Sequence, residues 1–579
     1  MCKNIVICYK YKSQEKVSNV DLKLFDTSII FDLPSSKNID EYISSEILLE
    51  LNNTEFDVIY IKDSLSSNYL ELYGLRVAYH IRLSQELENK KYVPIVILSD
   101  IDSHILNKLD PMARILFTKN IFMIKNTKED INKFQDKSKC KNLTKDEYKT
   151  KFLNLIEIES PKESHHDIAN EWSIYKWGSF LNLEDPRKVQ QNNEKINFML
   201  YFKYLVAKYD TLKNSKNKIW KVPLDFCEKE NLTILTKDTK ILYIDDESIN
   251  GWKDIFKAYF SVINENITLE TLSGIENVTE YAELVKLVNP HISPEKAPDI
   301  ILLDLRLLKV DHHEDTLEED ISGIKLLKYI KEEINEGIQV ILLTASGKSQ
   351  IIEEAHKHEI IGYIKKEHPQ DILASTTKSM DDLFCLVQKG YDRAYLKEIW
   401  SLSKYMINII NKNPFQKSVG KANDYKEHLD ILKKEIEYIF DISKSDTENK
   451  NKYAMVSIYT SFETIEKIFM KEVQKNYQFR DTDKTNVHHD KTLTKRIISI
   501  LTQKLNITDY SDTEKQLQLI AKKRNDYLHS NKKIEINSQN ILDWFNILNL
   551  IIKYIENPIE PKPRRKSNIR FSDTPKESS

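Results

Sequence analysis

Four short apolar runs between residues 241 and 365 constrain this chain more than any other feature, because each stops at a polar residue. Residues 241–244 stop at Asp245, Asp246 and Glu247, and 300–303 stop at Asp304. Residues 340–343 stop at Thr344, and the run from Ile361 to Ile364 stops at Lys365. Uninterrupted apolar strands alternating with helical stretches predict a parallel sheet covered on both faces. In such a sheet all four polar ends emerge at the carboxyl edge, where open α/β folds hold their ligands. The set suits phosphoryl transfer to a carboxylate. One carboxylate attacks, neighbouring acids hold a divalent cation, and a hydroxyl and an ammonium bind the phosphoryl oxygens.

Residues 238–390 therefore resemble the receiver domains of bacterial response regulators. The resemblance implies that Asp304 is the phosphoacceptor and that Asp245 and Asp246, with Asp304 and the carbonyl of Arg306, bind Mg²⁺. It also implies that Thr344 is the switch hydroxyl and Lys365 the phosphate-binding lysine, and Gly323 sits where the family keeps a glycine. A sensor histidine kinase or a phosphotransfer protein is the expected partner. Two stretches are longer than the family's: Asp246 to Asp304, and Asp304 to Gly323, which holds an acidic insertion at 310–320. Any one acid alone could be a helix cap, favoured at a helix N-terminus by the dipole.

The first 130 residues repeat the strand–helix alternation. Aligning residues 56–62 with 298–304 puts Lys62 opposite Asp304, Gly74 opposite Gly323, Ser99 opposite Thr344 and Lys125 opposite Lys365. Residues 5–8 run on into Tyr9 and Lys10 with no acidic pair. The region looks like a degenerate receiver without the chemistry, with an unrelated α/β domain as the alternative. Between the two, 131–237 is expected to be a helical connector rich in aromatics, Trp172, Trp177, Phe198, Tyr201 and Tyr204 among them. Its His165 and His166, like His488 and His489, adjoin an acid. Adjacent histidines splay apart on a helix, which argues against a shared metal.

Residues 391–557 read as an all-α bundle with no convincing strand. Ile458, Phe462, Ile465 and Phe469 recur at helical spacing, and so do Ile541, Phe545, Leu548, Ile552 and Ile555. Arg524, Asn525 and His529 follow the apolar segment 517–521. The pairing of Arg-Asn with a histidine resembles the HEPN family of helical domains, many of them metal-independent endoribonucleases of bacterial immunity and toxin systems. That resemblance implies His529 as general acid or base on RNA, Arg524 as phosphate stabiliser, Asn525 in support, and no cofactor. On one helix the five-residue step turns ~500°, so the two side chains leave by different faces; the family pairs such motifs across a dimer, so the resemblance implies a homodimer. A basic tail at 558–579 is expected to be disordered.

The chain has 579 residues, 86 Lys plus Arg against 89 Asp plus Glu, and a net charge of −3, so nucleic acid could be bound only by a local patch. Five cysteines, all but Cys2 and Cys8 far apart, include no CxxC pair, so neither a zinc site nor a disulfide framework is suggested. No signal-peptide pattern and no apolar run of membrane-spanning length occur, so a cytoplasmic protein without membrane attachment is expected. The multidomain α/β plus all-α reading comprises two flavodoxin-like, receiver-type parallel-sheet domains, a helical connector and a C-terminal helical bundle. It implies a phosphorylation-controlled effector that cleaves RNA, in the manner of phage-defence effectors. The alternative is a non-enzymatic adaptor whose helical domain only dimerises or binds partners. The output region has no convincing helix-turn-helix, which disfavours a DNA-binding regulator.

Overall fold

The computed structural model describes residues 2–558 except 11–18, 69, 138–140, 162–164, 184–198, 213–218, 224–237, 295, 314–315, 346–347, 372–374, 420–424, 474–475, 481–486, 489–491 and 530–533. The tail from 559 lies outside the described residues, as do Phe198, His489 and the side chain of His165.

Two parallel five-stranded sheets share one topology. The first is β1 (Asn4–Tyr9), β2 (Thr27–Phe31), β3 (Val58–Lys62), β4 (Ile95–Leu98) and β5 (Ile121–Ile124), in the order β2-β1-β3-β4-β5. The second is β6 (Thr239–Ile244), β7 (Ile267–Thr271), β8 (Ile300–Leu303), β9 (Gln339–Thr344) and β10 (Gly362–Lys365), in the order β7-β6-β8-β9-β10. Every residue of β3, β4, β8 and β9 is buried, which is why the central strands read as unbroken apolar runs. The order reverses between β6 and β8, and crevices at such switch points hold ligands.

The helices used below are α1 (Tyr73–Leu83), α2 (His165–Phe180), α3 (Met199–Leu212), α4 (Trp252–Ile263), α5 (Tyr281–Ile292), α6 (Ser322–Tyr329), α7 (Ser349–Lys357) and α8 (Thr376–Asp392). The C-terminal region adds α9 (Tyr395–Asn411), α10 (Lys426–Lys444), α11 (Lys450–Phe469), α12 (Leu493–Gln503), α13 (Ser511–His529) and α14 (Ser538–Glu556). These pack around one core that takes in both predicted stripes, from Ile458 to Phe469 and from Ile541 to Ile555. The expectation of no strand there is corrected: β11 (Met470–Val473), β12 (Asn476–Phe479) and β13 (Val487–His488) form a small antiparallel sheet. Strands of two to four residues carry too few alternations to stand out in sequence.

The aromatic segment between the sheets is integrated into its neighbours. Ile168, Trp172 and Tyr175 of α2, with Leu200, Tyr201, Phe202 and Tyr204 of α3, join the core of the first sheet. Ile174 and Trp177 of α2 join the core of the second.

Candidate functional site

Local geometry places each side chain of the site at the carboxyl edge of the second sheet. Asp245 and Asp246 directly follow β6, Asp304 follows β8, and Thr344 ends β9. Asp245 is fully buried, Thr344 2% exposed and Asp304 6% exposed. Asp245 accepts hydrogen bonds from the Tyr243 hydroxyl at 2.6 Å and the Glu247 amide at 2.8 Å. The Arg306 amide donates to Asp304 Oδ2 at 2.7 Å, fixing the carboxylate's orientation.

The ammonium at these acids belongs to Lys366, not Lys365. Lys366 Nζ lies 2.9 Å from Asp245 Oδ2 and 3.1 Å from Asp304 Oδ1. It also sits 5.6 Å from the centroid of the Trp252 ring. Lys365 is exposed and pairs with Asp371 at 2.7 Å. The reason is pleat alternation: Ile364 points inward, so Lys365 points out and Lys366 points back in. Lys365 ends the strand and so stands out in the sequence. Counting by twos from Ile364 would have found the right one.

Electrostatics at the site are dominated by three close acids and one ammonium. Burial, reinforced by Asp245, Asp304 and Glu247, pushes Asp246 up to about 9. Burial also raises Asp304, to about 6, although Lys366 pulls the other way. For Lys366 burial opposes the charge, but Asp245 and Asp304 outweigh it and hold the amine protonated. Three carboxylates facing one ammonium leave two negative charges uncompensated when all are ionised. Hard oxygen donors with that deficit suit a divalent cation such as Mg²⁺ in kind and charge. Among the described residues, however, no three His, Cys, Asp or Glu side chains stand at ligating spacing as they are. The Lys366 ammonium bridges two of the acids instead.

The acidic insertion has a structural pin of its own. Asp311, 1% exposed, accepts from the amides of Leu308 and Ser322, each at 3.0 Å, and from the Ser322 hydroxyl. Arg306 Nη1 donates to the Asp311 carbonyl at 2.6 Å, tying the insertion to the loop after Asp304. Asp311→Ala orphans two buried amides and is expected to destabilise this domain by about 3 kcal/mol in urea titrations, with Asp311→Asn intermediate.

Glycine fixes the equivalence of the two sheets. A Cβ on Gly323 would stand 2.5 Å from the Asp304 and Leu305 carbonyls, and one on Gly74 would stand 2.1 Å from the Lys62 carbonyl. Gly323 donates to Leu305 O and Gly74 to Asp63 O, each at 2.9 Å. Strand registers then carry Asp245 to Cys8, Asp246 to Tyr9, Asp304 to Lys62, Thr344 to Ser99 and Lys366 to Asn126. Lys125 is thus the counterpart of the outward Lys365. Lys62 is buried against Asp63 and the Leu98 carbonyl, and Asn126 donates to the Asn19 carbonyl. At the position of Asp304 the first site has Lys62, the neighbouring Asp63 carboxylate is engaged by the Lys62 ammonium and the Ser64 amide, and no acidic pair directly follows β1.

Residues 258–377 match the response regulator receiver domain family, and residues 12–124 match the inactive receiver domain family. Both sheets carry the receiver fold. The first match begins within α4, so Asp245 and Asp246 enter the site on geometry. No curated protein matches the chain. Among the described residues no helix is long and apolar enough to cross a membrane.

In the helical region, Arg524 and His529 lie on one helix, α13, five residues apart. The Arg524 guanidinium stacks over Tyr459 of α11 at 4.9 Å, Nη1 donates to Asn525 Oδ1 at 3.1 Å, and buried Nε has no hydrogen-bond partner among the described residues. His529 is exposed at the helix end. Within one chain the structure does not join Arg524 to His529 by a hydrogen bond.

Proposed function

We propose that this chain is a response-regulator-type effector controlled by phosphorylation of Asp304, with a HEPN-like C-terminal domain that cleaves RNA. The observation that carries the regulatory half is the convergence of Asp245, Asp304 and Lys366 at the switch point of a receiver-fold sheet. An oxygen of Asp304 attacks the phosphorus of a phosphodonor, such as a histidine kinase or phosphotransfer protein. The bond to the donor breaks, and the leaving group keeps its electron pair. Asp245, Asp246, Asp304 and the Arg306 carbonyl would hold Mg²⁺, which supplies charge neutralisation to the incoming group. Lys366 and the Thr344 hydroxyl, at adjacent strand ends, take the phosphoryl oxygens.

The output half is supported by an arginine held by stacking and a histidine left exposed on one helix of a mainly helical domain. The two leave the helix by different faces, so the reading pairs chains in a homodimer. We place the protein in the bacterial cytoplasm, in anti-phage defence of the abortive-infection kind, by the combination of a receiver with a toxic output. The competing reading is an adaptor whose helical domain only binds partners. RNA cleavage is expected for the full chain, changing with acetyl phosphate and falling at least ~100-fold in Arg524→Ala and His529→Ala, as for loss of a general acid or base. Equal inertness of wild type and both variants under every condition establishes the adaptor.

A further inference from the structure

The two edges of the second sheet are used differently. The helical region joins at the edge opposite Asp304. Lys397 of α9 binds Asp299 and the Ala297 carbonyl, just before β8. Asn335 binds Ser401 and the Lys397 carbonyl, and Lys444 of α10 pairs with Glu336 and Glu359. All the receiver-side residues of this junction precede the strands they adjoin.

Helix α2 instead grips the Asp304 edge. Ser173, fully buried, accepts from the Glu367 amide at 2.6 Å and donates to the Glu367 carbonyl at 3.2 Å. Glu367 is the residue after Lys366. Asn170 accepts from Trp252 Nε1 at 3.2 Å, and that indole lies beneath the Lys366 ammonium. The His166 ring packs edge to face on His312 of the acidic insertion, centroids 5.4 Å apart. The opposite stripe of α2 (Ile168, Trp172, Tyr175) is buried in the core of the inactive receiver fold. One helix thus touches the segment after β10, the start of α4 and the acidic insertion, all around Asp304, and is itself packed into the core of the N-terminal domain.

We propose that α2 is the element that first reads the state of Asp304, and that the inactive receiver is the body it moves. This rests on Asp304 being the phosphoacceptor. Lys366 is shared between Asp245 and Asp304, and a phosphoryl group on Asp304 replaces the carboxylate's single negative charge with two on the phosphoryl oxygens, which compete for it. Lys366 shifts toward the phosphoryl oxygens and carries Glu367, whose amide and carbonyl both bind Ser173. The shift reaches α2 through that doubled bond and through Trp252, and the far edge stays out of the first step.

The test is hydrogen–deuterium exchange on the full chain with Mg²⁺ and beryllium fluoride, a phosphoryl mimic. Exchange across 165–181 and 199–212 is expected to change at least ~5-fold, the low end of ordinary coupling between sites. Asp304→Asn abolishes it. Ser173→Ala keeps the change at the loops of Asp304 and Lys366 but loses it at 199–212, and Ser173→Thr restores it. A response at the Asp304 loop and in α9 and α10 with α2 silent overturns the proposal and leaves the phosphoacceptor reading standing. No response at the Asp304 loop overturns both.

Discussion

Lys366→Met is expected to cost the second receiver fold about 3 kcal/mol at pH 8, whereas Lys365→Met stays within about 0.5 kcal/mol of wild type. The two lysines are neighbours of identical type, so the contrast comes from placement alone. Lys366 is 3% exposed and bridges two buried carboxylates, while both partners in the Lys365–Asp371 pair are over a third exposed. Removing one partner of a buried pair leaves uncompensated charge, and removing one of an exposed pair leaves charges that water already solvates. The Lys366→Met penalty shrinks toward pH 5, because Asp304, raised to about 6, can then take up a proton in place of the lost ammonium. Urea unfolding followed by amide exchange in β8 and β9 reads the difference. Equal losses in the two variants, or a larger loss for Lys365→Met, reverse the assignment of the site lysine.

That correction shows where the sequence is readable. The central strands β3, β4, β8 and β9 were legible because a strand buried on both faces must be apolar throughout, and Asp304, Asp245 and Thr344 were legible as the first polar residues beyond apolar runs, whereas the edge strands β2 and β7, buried on neither face throughout, gave no such run. Lys365 and Lys366 are indistinguishable by composition. They differ only in which side of the pleat they take, and that depends on the inward Ile364. The inactive site was legible as a missing set of acids. Its Asn126, one residue past the aligned Lys125, repeats the same offset.

The central helices were less readable for a different reason. Helix α2 has no single apolar stripe: Ile168, Trp172 and Tyr175 face one core, and Ile174 and Trp177 face another. A helix apolar on several faces is buried on several sides, and nothing in its own sequence says against what. Ser173 and Asn170 gave no signal, since their partners lie 194 and 82 residues away. Arg524 and His529 were found by spacing, but the stacking of Arg524 on Tyr459 depends on how α11 crosses α13, which a local motif does not encode.

Asp246→Asn is expected to stabilise the metal-free protein at pH 8 while abolishing its response to Mg²⁺. The sign follows from the protonation states. In the unfolded chain an Asp loses its proton near ~3.9. In the folded chain burial among Asp245, Asp304 and Glu247 delays that loss to about 9 for Asp246, and burial delays it to about 6 for Asp304. From pH ~4 upward the unfolded state therefore holds fewer protons than the folded one, so stability falls as pH rises through those values. The amide that replaces the carboxyl does not titrate, so in the variant the fall above pH 6 flattens. The gain at pH 8 is at least about 1.4 kcal/mol, the worth of one pKa unit. Mg²⁺ is expected to stabilise the wild type by favouring the ionised acids, an effect that grows with pH. The variant, one carboxylate short, gains little from Mg²⁺ and takes up no phosphoryl group from acetyl phosphate. Denaturant titrations at pH 5.5 and pH 8, with and without Mg²⁺, measure all of these terms. A variant less stable than wild type at pH 8 without metal, or stabilised by Mg²⁺ as strongly, would show that Asp246 serves the fold and not the cation.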